Sequence, residues 1–326
     1  MKNRQRSTQS PGSRSARTLT RVLAGGGYVV AATALWSAVP ICVKFALKAV
    51  DAYTICWIRF AVGAIVLFAL QKMRGVDLRL TRRDAGMIVL AAVGIGGNYV
   101  MYIRGIQSTT ASAGNIVVQF EVVSLVILSH FWLKERMTLA KLVGMLVTFS
   151  GVFLALWNGE SPAELVASEN FLGNVLILIA APLWAIYGIA QKILADRGFG
   201  VSSSLVYIFA LAAILTFPVL LVGFDVHGAF SADVIAALAI VSIFGTALAY
   251  VFIGKGFELL DASSAAVITC LLPVFTIVNA RIFLHEQLSP ALGAGAVLVV
   301  AGILVIGRAE ADKSRVPAHE DRGKTD

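Results

Sequence analysis

Charged residues are scarce in this chain. Asp, Glu, Lys and Arg together make up 14% of its 326 residues, whereas soluble globular domains average about 25%. Hydrophobic residues make up 58%, and the mean hydropathy is +0.83. So few charges cannot cover the surface of a soluble globule of this length. The composition therefore excludes most soluble classes and indicates an integral membrane protein.

Residues that carry catalytic or metal chemistry are also scarce. Cys42, Cys56 and Cys270 all fall within apolar runs, which predicts packing and no disulfide. The sequence contains no Gly-x-Ser-x-Gly, no phosphate-binding glycine loop and no pair of acidic residues in mid-span. We therefore expect no metal, no cofactor and no enzymatic activity. An intramembrane enzyme is the competing class.

Long apolar runs are abundant, and they predict membrane-spanning helices. Each is close to the roughly 20 residues that cross a bilayer as an α-helix, and none alternates as the strands of a membrane barrel do. The predicted fold is an all-α integral membrane protein with ten transmembrane helices. The spans lie at 26–47, 52–71, 84–103, 110–133, 139–157, 171–191, 201–224, 233–254, 262–283 and 291–307.

The second half of the chain repeats the first. Tyr99 and Gly105 reappear 151 positions later as Tyr250 and Gly256, and neighbouring residues match at the same offset. Because five spans per half is an odd number, the second copy must enter the membrane in the opposite orientation. Inverted repeats of this kind are typical of transporters, with the substrate site between the halves. The predicted parts are a disordered tail 1–25, a first repeat 26–157, an external linker 158–170, a second repeat 171–307 and a tail 308–326.

Basic residues predict the orientation. They concentrate in the N-terminal segment and in the loops at 72–83 and 134–141, whereas the loops at 158–170 and 225–232 carry none. By the positive-inside rule, both termini are cytoplasmic in the inner (plasma) membrane. The net charge of +8 therefore reflects membrane topology, and we expect the lipid bilayer as a partner and no nucleic acid.

Two charged residues lie deep within spans. Of the 19 acidic residues only Glu121 sits in mid-membrane, and Arg59 is the only basic residue at comparable depth. An unpaired charge there is unfavourable, so Glu121 either takes a proton or pairs with a cation. A bond from Glu121 to Arg59 or to the backbone that only fixes packing is one interpretation. A substrate or proton site is the other.

Polar and aromatic residues in several spans favour a cavity near the midplane. Asn115 and Gln119 are four positions apart and therefore share a helix face. For single aromatic residues, packing is the alternative role. The predicted substrate-binding residues are Trp36, Asn98, Tyr99, Tyr102, Asn115, Gln119, Trp184, Tyr187 and Tyr250.

A short motif follows the fourth span of each repeat, at 133–138 (LKERMT) and 284–289 (LHEQLS). Thr138 and Ser289 are well placed as N-caps of the next helix. Glu135 and Glu286 are expected to face the positive dipole end of that same helix as structural anchors. Glycines that recur every seven residues in the fifth span of each repeat predict close helix packing.

These motifs, together with Trp36, Trp184 and Arg59, resemble the EamA family of the drug/metabolite transporter superfamily, over nearly all of residues 26–307. The resemblance implies a secondary transporter of small molecules, with export of amino acids or related metabolites as the leading expectation. Metabolite uptake and drug efflux are the alternatives. It also implies that the fifth helices hold the fold or a homodimer together. Proton coupling, facilitated diffusion and exchange all stay open.

Overall fold

The structure of the protein is a computed structural model that describes residues 11–76, 78–157, 168–260, 268–269 and 271–315. Within these ranges the regular structure is helical, without a β-strand, and one isolated antiparallel bridge pairs Val50 with Val226. The predicted all-α membrane fold is confirmed.

Ten helical elements follow each other in these ranges, and two of them are interrupted. The first half contains α1 (Pro11–Ala46), α2 (Ala52–Met73), α3 (Arg82–Ser108), α4 in two pieces (Ala111–Val118 and Phe120–Trp132) and α5 (Leu139–Trp157). The second half contains α6 (Glu169–Asp196), α7 (Val201–Gly223), α8 in three pieces (Ala232–Ala239, Ile240–Leu248 and Ala249–Leu259), α9 (Leu272–Phe283) and α10 (Pro290–Arg315).

Nine of the described helices are long and apolar enough to cross a membrane, and α9 is a shorter apolar helix. The predicted ninth span begins at residue 262, and most of its first ten residues lie outside the described ranges. The helices α1 and α10 extend into the segments predicted as tails, to Pro11 and Arg315. Extending a formed helix needs no new nucleus, so polar residues can continue its turns beyond the apolar part.

The same turn ends α4 and α9. Lys134 and His285 adopt positive φ angles of 56° and 55°, which are uncommon for residues other than glycine. The N–H groups of the following Glu135 and Glu286 each donate to a carbonyl six residues back along the turn, at 3.3 Å. A residue in the left-handed conformation just past the last turn is a common way to end a helix. The sequence repeat therefore encodes a repeated backbone turn.

The two halves pack against each other in matched pairs. Helix α3 packs along α6, and its counterpart α8 packs along α1. Helix α2 packs along its own counterpart α7, and α5 packs along α10. Each contact therefore recurs with the two halves exchanged, as expected for a pseudo-twofold axis between them.

Glycines allow the close contact of α5 with α10. A Cβ atom built on Gly302 would lie 2.6 Å from the Gly144 carbonyl oxygen, and one on Gly151 would lie 2.7 Å from that of Gly295. Only glycine permits such an approach between backbones. The glycine faces of the fifth helices thus contact each other within one chain. The homodimer stays a prediction.

Candidate functional site

The hydroxyl groups of Tyr99 and Tyr250 are 3.1 Å apart. The two residues occupy equivalent positions in the repeats, in α3 and α8. Equivalent residues can only touch at the pseudo-symmetry axis, so the axis passes between these two side chains. Both are buried, at 8% and 3% exposure.

Aromatic rings from both halves surround this tyrosine pair. Trp36 meets Tyr250 edge-on with ring centroids 5.3 Å apart, and Trp184 contacts Tyr187 at 6.2 Å. The remaining ring contacts of the group fall between these distances. We call this group the aromatic cluster: Trp36, Phe60, Tyr99, Tyr102, Trp184, Tyr187, Phe209 and Tyr250. The structure therefore brings together all six aromatic residues of the predicted site.

Arg59 lies against the aromatic cluster and is completely buried (0% exposed). Its guanidinium carbon lies 3.8 Å from the centre of the Tyr99 ring, which is a cation–π contact. Its Nε donates a hydrogen bond of 3.0 Å to Thr246 Oγ1 of α8. Its terminal nitrogens Nη1 and Nη2 have no hydrogen-bond partner among the residues that the structure describes. One buried positive charge is thus only partly satisfied.

Glu121 lies in the first turn of the second piece of α4 and is partly buried. Asn98 Nδ2 donates to Glu121 Oε1 at 3.0 Å and also to the carbonyl oxygen of Ala180 at 2.9 Å. The carboxyl group is therefore held by an amide that also links α3 to α6. In the described part of the chain no ion pair joins Glu121 to Arg59: the hydrogen-bond partner of Glu121 is Asn98, and that of Arg59 is Thr246.

The break in α4 falls at Gln119, whose N–H donates to the carbonyl oxygen of Ile116. Both Gln119 and Asn115 are buried, and the Asn115 Oδ1 atom has no hydrogen-bond partner among the described residues. The first piece of α4 packs against α6 and α9. These two amides therefore lie in a helix that packs against the other half of the chain. The ring contacts that join the predicted aromatic residues do not include them.

Sequence reasoning missed Thr246 and the unusual helix around it. Residues Ile240–Leu248 form a π-helical segment, and Thr246 Oγ1 donates to the Val241 carbonyl oxygen five residues earlier at 2.8 Å. Segments of π-helix occur frequently at functional sites. One signal was available, because Thr246 lies four residues before Tyr250 and so shares its helix face. Phe60 and Phe209 were missed because they resemble ordinary apolar packing.

The two repeated glutamates bond the opposite half of the chain. Glu286 accepts hydrogen bonds from the backbone N–H groups of Ala111 (2.7 Å) and Ser112 (3.1 Å), so it caps α4. Glu135 binds Lys192 at 2.9 Å and Lys141 at 3.7 Å. The expectation that Glu286 faces the start of its own following helix was wrong. The turn after α9 points the carboxylate back across the interface, while Ser289 caps α10 as predicted.

Loops also join the halves at both ends of the bundle. At one end, beside the bridge of Val50 with Val226, the Asp51 N–H donates to the Asp225 carbonyl oxygen at 3.1 Å, and the Asp225 N–H donates to the Asp51 carboxylate at 3.0 Å. At the other end Arg197 donates to the Arg83 carbonyl oxygen at 2.9 Å and contacts Asp84 Oδ1 at 3.4 Å. Among the described residues, no group of three or more His, Cys, Asp or Glu side chains could hold a metal ion.

These features define a multi-pass membrane protein built from two equivalent halves that meet at a buried polar and aromatic site. The family model of the EamA-like transporter family matches the chain twice, over residues 23–157 and 171–308. The chain belongs to this family, and the family points to membrane transport of small molecules and not to catalysis.

Individual relatives agree with this assignment. The chain is 29% identical over 297 residues to the "Uncharacterized inner membrane transporter YhbE" of Escherichia coli (strain K12), covering 86% of this chain and 91% of that protein. It is 27% identical over 274 residues to an "Uncharacterized transporter" of Archaeoglobus fulgidus, covering 82% and 92%. A solved structure described as "Crystal structure of protein" has a TM-score of 0.63 at 20% identity, covering 88% of this chain and 97% of that one, and supports the fold alone.

Proposed function

We propose that the protein is a secondary transporter of the inner membrane that exports amino acids or related small metabolites. The two halves are inverted repeats, and they expose the aromatic cluster alternately to the two sides of the membrane. The observation that carries this proposal is the contact of Tyr99 with its equivalent Tyr250 at 3.1 Å. A site on the symmetry axis presents similar surroundings to either side, as alternating access requires.

The loop contacts at the two ends support the same cycle. The Val50–Val226 bridge joins the α1–α2 loop to the α7–α8 loop. The Arg197 contacts join the α6–α7 loop to the start of α3. These pairs of connections are exchanged by the repeat, so each end has its own closure. In the proposed cycle, one closure opens while the other stays formed.

The chemistry of the site supports an amphipathic substrate with polar ends. Rings of the aromatic cluster offer apolar surface, and Arg59 offers a positive group against Tyr99. Glu121 offers a carboxyl group that is bonded to Asn98, the residue before Tyr99 in α3. Amino acids combine an apolar side chain with both charges. Metabolite uptake and drug efflux are the alternative functions.

Transport of radiolabelled amino acids into proteoliposomes that contain the purified chain tests this proposal. We expect one or more amino acids to accumulate in the lumen chemically unchanged. Empty liposomes are the control. Conversion of a compound without accumulation would instead indicate an intramembrane enzyme. Accumulation of drugs and not of amino acids would favour the efflux alternative.

A further inference from the structure

The guanidinium group of Arg59 makes fewer hydrogen bonds than its burial requires. It has five N–H donors, of which only the Nε donor has a hydrogen-bond partner in the described structure, Thr246. An arginine remains charged inside a protein, so it cannot relieve this state by losing a proton. Buried charged groups normally have both a countercharge and a full set of hydrogen bonds. The site therefore contains an unmet demand for an anionic acceptor.

A purely structural role explains only part of this arrangement. Stacking on the Tyr99 ring at 3.8 Å and the bond to Thr246 hold the guanidinium in one plane. The same packing could be made by an apolar side chain, without burying a charge in a membrane. Glu121 forms no ion pair with Arg59 in the described structure, and its carboxyl group accepts a hydrogen bond from Asn98. Packing accounts for the orientation of the side chain but not for its charge.

We infer that Arg59 binds the carboxylate of the transported substrate through Nη1 and Nη2. This deepens the proposed function, on which it rests, by naming the substrate class as carboxylates that carry an apolar group. Thr246 occupies the Nε edge of the guanidinium group. The edge that bears both terminal nitrogens remains available to a ligand. That edge matches the two oxygens of a planar carboxylate. The single negative charge of a carboxylate also balances the single positive charge of Arg59.

The surroundings of Arg59 select for an apolar group next to the carboxylate. The Tyr99 ring contacts both Arg59 and Phe60, and the Tyr99 hydroxyl group contacts that of Tyr250 in the other half. A doubly charged phosphate ester would need a second cation. Among the described residues, Arg59 is the cation that contacts a ring of the aromatic cluster, and the other fully buried cation, Lys141, is paired with Glu135. A carboxylate with an apolar side chain satisfies both features.

Access to Arg59 depends on the π-helical segment of α8. Thr246 holds Arg59 and closes a wide turn onto Val241 with the same hydroxyl oxygen. Such a turn has an extra residue that a helix can redistribute. In the proposed cycle, movement of this segment opens the space beside the terminal nitrogens, and its return restores the bond of Thr246 to Nε. The substrate would thus bind to Arg59 of α2 at its contact with α8 of the other half.

Equilibrium binding to the full chain in detergent tests the inference. The probes are matched sets of aromatic and aliphatic compounds with the same side chain, namely the amino acid, its primary amide and the acid lacking the amino group. Inorganic phosphate is an additional arm. Binding is measured from intrinsic tryptophan fluorescence and from the shift of the thermal midpoint. We expect acids to bind and the amides to bind about 10- to 100-fold more weakly, as for loss of one charged hydrogen-bonded pair.

Substitutions locate the binding to Arg59. Arg59→Gln should weaken the binding of the acids by about 10- to 100-fold and change the binding of the amides little. Arg59→Lys should have an intermediate effect, because an ammonium group lacks the planar pair of donors of a guanidinium. The matched control is Arg104→Gln, since Arg104 is an exposed arginine of α3, and it should bind acids like the wild type. If Arg59→Gln does not fold, two other measurements test the inference. They are the binding of acids by Arg59→Lys and the comparison of acids with amides on the wild-type protein.

Several results would overturn the inference. These are equal binding of acids and amides, unchanged acid binding by Arg59→Gln, tighter binding of phosphate than of any acid, or no binding by any acid. A transport assay separates failure of the carboxylate site from failure of the proposed function. If proteoliposomes accumulate a neutral or cationic compound and acids do not compete, the carboxylate site is wrong and the transporter stands.

Discussion

Single residues in the middle of the bundle carry the testable chemistry. Glu121 is bonded to the Asn98 amide and not to Arg59. A carboxyl group with a neutral partner can gain or lose a proton without breaking an ion pair. This arrangement suits a group that changes its protonation during a transport cycle better than a fixed packing contact.

If transport is coupled to protons, Glu121→Gln should remove the coupling. Glutamine keeps the size of the side chain and a hydrogen-bonding group for Asn98, but it does not titrate. Transport by the variant in proteoliposomes should therefore no longer respond to an imposed pH gradient, while the amount of protein in the membrane is unchanged. Wild-type protein in the same lipid is the control. Undiminished pH dependence in the variant would eliminate the proton role and leave facilitated diffusion or exchange.

Gln119 tests whether the break in α4 borders the substrate path. Gln119 is buried at 8% exposure, so the larger side chain of Gln119→Trp should obstruct the path and abolish transport in protein that still folds. The control is Val297→Trp, because Val297 of α10 is 68% exposed on the outer surface. Transport is measured in proteoliposomes at matched protein content. A wild-type rate for Gln119→Trp would move the path away from this break.

At the scale of helices, the contact of α5 with α10 should limit stability. A Cβ on Gly302 would lie 2.3 Å from Thr148 Oγ1 and 2.6 Å from the Gly144 carbonyl oxygen. Gly302→Ala should therefore lower the free energy of unfolding by about 1–3 kcal/mol, the usual effect of overpacking. Reversible unfolding in mixed detergent micelles measures this value.

The matched control lies in the same helix. Nothing lies within 4 Å of a Cβ built on Gly293, so Gly293→Ala should leave stability unchanged or raise it by up to about 1 kcal/mol through helix propensity. Equal effects of the two substitutions would show that the contact between the helices is not close.

At the scale of the whole molecule, basic loops predict the orientation. A cysteine introduced as Ala229→Cys, in the loop between α7 and α8, should react with a membrane-impermeant maleimide added to intact cells. A cysteine introduced as Val76→Cys, in the loop between α2 and α3, should react only after the membrane is opened. Both positions are exposed. The reverse pattern would invert the proposed topology.

Much of the molecule follows from the sequence because the chain is duplicated. The equivalence of Tyr99 and Tyr250 already indicates the axis, and apolar runs of spanning length predict most helices. The bond of Arg59 to Thr246 could not be predicted, since it depends on the π-helical register of α8. The capping of α4 by Glu286 was also missed, because it crosses between halves that are far apart in sequence. Local pattern predicts elements, whereas partners between halves depend on packing.

The central claim is that the halves move relative to each other during transport, and a reversible cross-link tests it most directly. Val50 and Val226 form an antiparallel bridge, which places their Cα atoms about 4.5–5.5 Å apart, within the range of a disulfide. Native Cys42 and Cys56 are buried, and the single variants Val50→Cys and Val226→Cys are the controls. Oxidation of the double variant should stop transport in proteoliposomes, and reduction should restore it. If the protein with its disulfide fully formed transports as fast as the same protein after reduction, alternating access between these halves is contradicted.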